Sequence, residues 1–150
     1  MNKKSGFTLI EIMLTVSIIT MVTFGFITYL NPAKQLAQAR NSQRSLHLNA
    51  IINSVKQNIA DGRGTFTCAA GDIPTTAKKM AIGAGNYDIA SCISPIYIGG
   101  LPFDPLDSNA HFTSNSDYDT GYTIIKASST GLVTVSAPSA ELGASISVTR

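Results

Sequence analysis

From Phe7 to Leu30 the chain is one apolar run carrying a single charge, Glu11, with Lys3-Lys4 just ahead of it. Ile, Leu, Met, Val and Phe dominate and no turn cluster intervenes, so the pattern predicts a helix over 7–30, with Gly25 as a weak point. Roughly 20 apolar residues cross a hydrocarbon core about 30 Å thick, so this segment is long enough to span a membrane. Asn31-Pro32 then breaks the run. Pro32 offers no amide hydrogen to the carbonyl of Thr28, so the helix kinks there or restarts with Asn31 as cap and Pro32 in the first turn. Beyond it the pattern turns amphipathic. Leu48, Ile52, Val55 and Ile59 recur at helical spacing, Arg44, Asn49, Lys56 and Gln57 fall on polar positions, and Asp61-Gly62-Arg63-Gly64 supplies a stop.

Residues 65–120 are rich in Gly, Asn, Asp, Ser and Pro, with short apolar pieces such as Ile96-Tyr97-Ile98, and predict a long irregular connection. Tyr122–Ala127 and Leu132–Ala137 read as strands of an antiparallel hairpin around Ser128-Ser129-Thr130-Gly131, and Ser145–Thr149 as a third strand. The expected fold class is α+β: a long N-terminal helix, apolar then amphipathic, packed on a small antiparallel sheet. The expected organisation is a leader over 1–6, a membrane helix over 7–30, an amphipathic stem over 31–61 and a globular head over 62–150.

Charge fixes the orientation. Lys3 and Lys4 precede the run and no basic residue follows until Lys34, so the positive-inside rule keeps the N-terminus in the cytoplasm and exports the head. No small-x-small cleavage site follows the run; the candidate processing site precedes it, at Ser5-Gly6-Phe7. The formal net charge is +2. Lys34, Arg40, Arg44 and Lys56 make the stem basic, whereas the head is mildly acidic. A basic stem fits a solvated helix face, and also attraction to neighbouring copies, anionic lipid or nucleic acid. Lys78-Lys79 is weak further support for nucleic acid.

Cys68 and Cys92 both fall in the exported part, where an oxidising compartment favours their pairing; two buried thiols are the alternative. His47 beside Leu46 and Leu48 suits packing, and His111 lies in a polar stretch. With no nucleophile motif, phosphate loop or zinc spacing, an enzyme is not expected. Glu11 is the anomaly. An acidic group at the centre of a membrane helix costs about 2.5–3.5 kcal/mol, less near an end, and there it still calls for a partner or a route to the interface.

Lys3-Lys4-Ser5-Gly6-Phe7-Thr8-Leu9-Ile10-Glu11 resembles the processing and methylation motif of type IV pilins and type II secretion pseudopilins. The resemblance implies cleavage between Gly6 and Phe7 by a prepilin peptidase, N-methylation of Phe7, and a pairing of Glu11 with the Phe7 amine of a neighbouring subunit in a filament core. It also implies self-assembly served by an assembly ATPase and a platform protein of the inner membrane, ending in an extracellular or periplasmic filament. Leu101-Pro102-Phe103-Asp104-Pro105 followed by Tyr122 is similar to a pseudopilin element, with Leu106 where tryptophan is common. Cys68 and Cys92 do not match the usual C-terminal pilin loop. A pilus subunit, a pseudopilin of a secretion or DNA-uptake system, and a minor ligand- or DNA-binding subunit all fit these residues. No cofactor is expected, apart from calcium on Asp104, Asp107, Asp117 and Asp119 by resemblance to some pseudopilins. The spacing rules out an EF-hand.

Overall fold

A computed structural model describes residues 6–150; Lys3, Lys4 and Ser5 of the leader lie outside them. The chain forms two compact units, Met1–Leu36 and Ala37–Arg150.

In the first unit, α1 spans Leu9–Leu30. Thr8 caps it in an extended conformation, and its hydroxyl faces the Glu11 amide at 3.4 Å. The helix ends at Asn31, whose left-handed φ of 42° suits an Asn better than a branched residue. Asn31 also starts the next helix, α2 (Pro32–Asp61): its carbonyl and side-chain oxygens both receive the Lys34 amide, at 3.0 and 3.3 Å. Of the two outcomes expected at Asn31-Pro32, the restart occurs, with Pro32 where a missing amide hydrogen costs nothing.

The second unit packs the rest of α2 on a five-stranded antiparallel sheet. Leu48, Ile51, Ile52 and Val55 are fully buried and share their core with Met80, Ile89, Ile93, Tyr122, Ile124 and Val135. The central strand is β3, Asp117–Lys126. One edge pairs with β1, Lys78–Ala81; the other pairs with β2, His111–Ser114, and then with β4, Val133–Ala137. The last strand, β5 (Ile146–Thr149), lies outside β4. The β4 burial alternates residue by residue, with Val133, Val135 and Ala137 inward, as a half-buried strand requires.

The stretch 65–120 is more ordered than its composition predicts. It holds β1, the short helix α3 (Ala90–Ile93), β2 and the first residues of β3. Strand β1 reads Lys-Lys-Met-Ala and owes its conformation to pairing with β3 rather than to its own propensity. Gly121 looks like the end of a turn, yet β3 passes through it. Its φ of 71° is open to glycine, and an added Cβ would meet Asp104 Cβ at 3.0 Å. Asp119 Oδ1 accepts the Gly121 amide at 2.9 Å, and Thr120 Oγ1 donates to the Met80 carbonyl at 2.9 Å, which holds the kink in place.

Cys68 and Cys92 form a disulfide with Cα atoms 5.0 Å apart, tying the segment after α2 to α3. A closed loop of this size restricts the unfolded chain by roughly 3–4 kcal/mol on the chain-entropy model.

Candidate functional site

Three facts define the amino-terminal helix. First, its apolar surface is uncovered over the described side chains: none of the Leu9–Ile27 window is buried, and Phe7 and Leu9 are more than three-quarters exposed. In water such a surface would be unfavourable at about 25 cal/mol per Å², so it belongs in lipid or against other helices. Second, four of its hydroxyl groups are satisfied within the helix. Thr15 donates to the Ile12 carbonyl at 2.9 Å, Ser17 to Met13 at 2.8 Å, Thr20 to Val16 at 2.7 Å and Thr23 to Ile19 at 2.7 Å. A polar side chain paired in this way enters hydrocarbon without an orphaned donor.

Third, Glu11 is the exception. It sits in the first turn, where the partial positive charge of the helix end favours an anion. No cation among the described residues pairs with its carboxylate. Gly6 and Phe7 precede the cap outside any helix, and nothing lies within 4 Å of a Cβ built on Gly6. The described side of Gly6, toward Phe7, is therefore sterically open to a protease.

In the second unit the notable constellation centres on Arg44 of α2. Arg44 is not a solvated position: its exposure is 0%, and its guanidinium grips Asp104, itself 1% exposed, through two bonds of 2.7 and 2.9 Å. Its Nη1 donates to Glu141 Oε2 at 3.0 Å and to Asn41 Oδ1 at 2.9 Å. Glu141 also takes two bonds from Arg40, at 2.7 and 2.6 Å. Asp104 Oδ1 accepts the amides of Leu106 and Asp107 as well. This network clips the turn at Asp104 and the turn at Glu141 onto α2. The signal was present: Arg44 stands four residues before Leu48, on the buried stripe itself, and a cation there requires a buried acid. Likewise Thr8-x-x-Glu11 is a capping pattern that foretells where α1 begins.

Each of the four carboxylates proposed for calcium has a partner within the protein. Asp104 is committed to Arg44, Asp117 Oδ1 to His111 Nε2 at 3.1 Å, and Asp119 to Lys79. Asp107 Oδ1 accepts the Asn109 amide at 3.0 Å. Among the described residues no group of three or more His, Cys, Asp or Glu could hold a metal ion. The same pairings reduce the basic character expected of the stem and of Lys78-Lys79, since Arg40, Arg44 and Lys79 all carry acidic partners. His47 packs edge-on against Tyr122 with Nδ1 2.9 Å from its hydroxyl, and burial lowers its pKa. That is a packing arrangement.

Residues 1–27 match the prokaryotic N-terminal methylation motif. The chain carries the prepilin-type signature. No curated protein and no solved structure matches the chain. The prepilin-type signature is shared by type IV pilins and pseudopilins. It implies processing by prepilin peptidase and filament assembly, and the exposed apolar helix fits membrane anchoring of a prepilin. The head below this signature is an α+β, pilin-like arrangement of helix and small sheet.

The buried network gives the second unit an acid sensitivity of defined sign. Hydrogen bonds from Arg40, then Arg44, lower the Glu141 pKa to about 2. Burial would raise that of Asp104, but Arg44 and the Leu106 and Asp107 amides outweigh it, and the net direction is down. Folded carboxyls more acidic than unfolded ones stabilise the fold above the ordinary carboxylate range, and that contribution is lost as pH falls toward the folded values. The melting temperature of the full chain in detergent is therefore expected to drop between about pH 5 and pH 2, and Glu141→Gln to flatten part of that slope. Thermal melts read by circular dichroism across this range check it.

Proposed function

We propose that this chain is a structural subunit of a type IV pilus or related filament. Residues 1–6 are the leader, removed between Gly6 and Phe7, and the new Phe7 amine is methylated. The processed helix anchors the subunit in the cytoplasmic membrane, N-terminus inside and head exported, until it enters a homopolymeric fibre outside or in the periplasm. An assembly ATPase and a platform protein supply the work of extracting an apolar helix from the bilayer.

The observation that carries this reading is a helix uncovered from Leu9 to Ile27 with one carboxylate in its first turn. In a bundle of such helices apolar contact supplies cohesion but little axial register, because one apolar surface slides past another. A Glu11 carboxylate facing the Phe7 ammonium of the next copy neutralises two charges at one defined offset, and so fixes the register. The pseudopilin alternative has its own support in Leu101-Pro102-Phe103-Asp104-Pro105, whose Asp104 is the buried partner of Arg44. The test is electron microscopy of sheared fibres with mass spectrometry of their N-termini. Abundant surface fibres beginning at a methylated Phe7 are expected. Full-length chain starting at Met1, found only in membranes, refutes the proposal, and short periplasmic fibres select the pseudopilin alternative.

A further inference from the structure

A groove of about 390 Å³ opens on the head beside the disulfide, a volume within the range of roughly 300–1,000 Å³ typical of ligand sites. It is built rather than incidental. The Cys68–Cys92 bond joins its walls, and the buried Asn58 amide holds them a second time. Asn58 Nδ2 donates to the carbonyls of Thr67, at 3.1 Å, and Cys92, at 2.8 Å, while its Oδ1 accepts the Thr67 amide at 2.8 Å. A ligand entering this groove orders little new structure.

Asp61 is the one charged side chain among the described residues lining the groove. Its Oδ2 accepts the Tyr97 hydroxyl at 2.8 Å, and no cation among the described residues pairs with it. It is also the last residue of α2, where the helix end adds partial negative charge. Ile96, 76% exposed, adds apolar surface at the same site, and the Tyr97 ring can attract a cation. Calcium would want six to eight oxygens, more than one carboxylate and a phenol supply. An organic monocation needs only the one carboxylate.

We propose that this groove binds a primary alkylammonium group, with its charge on Asp61 and its aliphatic stem along Ile96. Lysine side chains and polyamines share that chemistry. The test is amide chemical-shift titration of the isotope-labelled full chain in detergent, with Nα-acetyl-lysine amide, putrescine and uncharged butanol as separate probes. Both amines are expected to shift the amides of residues 58–68 and 91–97 with low-millimolar affinity, and butanol to do nothing. Tighter binding of the lysine derivative identifies a peptide side chain as the natural ligand, and tighter binding of putrescine a polyamine. Asp61→Asn is expected to weaken both amines about tenfold. Ser91→Lys, on the exposed rim, is expected to abolish binding by placing an internal cation beside Asp61. Absence of amine binding overturns the proposal; so does equal binding of butanol, or affinity unchanged in both variants.

Discussion

Replacing Arg44 by methionine is expected to cost the fold about 3–5 kcal/mol, because it leaves Asp104 buried without its counter-charge. The prediction follows from who else can help. Asp104 keeps the amides of Leu106 and Asp107, but these do not neutralise a carboxylate. Its remaining recourse is to take up a proton, so the variant's deficit is expected to shrink as pH falls, opposite to the trend of the parent. Asp104→Leu alone is also expected to destabilise, leaving Arg44 with its weaker link to Glu141. The double variant Arg44→Met with Asp104→Leu removes both charges together and is expected to regain much of the loss. Urea titrations of the four full-length proteins in detergent, arranged as a double-mutant cycle, give the coupling. Simple additivity would mean that the pair carries no mutual stabilisation.

This network marks the line between what sequence could and could not foretell. Helix α1 and the β3–β4 hairpin were legible because each rests on a local signal, a long apolar run or two β-branched segments around Ser-Ser-Thr-Gly. Strands β1 and β2 were not. Lys78–Ala81 and His111–Ser114 have little strand character of their own and become strands only when β3 arrives from far along the chain. The acids divided the same way. Asp104 and Glu141 look like loop residues until the fold brings them 60 and 97 positions back to Arg44. A cation on a buried stripe says that an acid must come, but not from where. At the amino terminus the opposite holds. The motif at residues 1–27 is contiguous, so it was readable in full, whereas the partner we propose for Glu11 is in another copy of the chain.

Glu11→Ala is expected to leave cleavage after Gly6 intact and to abolish, or nearly abolish, fibre formation. Cleavage depends on the open segment around Gly6 and Phe7, which the substitution does not touch. Anchoring is unaffected too, since removing the only charge between Phe7 and Leu30 makes the helix a better membrane solute. What is lost is register: each incoming Phe7 ammonium then enters the apolar core with no anion to meet it, at a cost on the scale of about 3–5 kcal/mol for a broken buried pair. Fibre counts by electron microscopy, beside the mass of the membrane-bound subunit, separate these steps. Glu11→Asp keeps the charge but shortens its reach, and partial assembly is expected from it. Glu11→Gln keeps the shape and discards the charge, and should fail as Ala does. Normal fibres from the glutamine variant would show that hydrogen bonding or packing, not charge, sets the register, and the pairing would have to be abandoned.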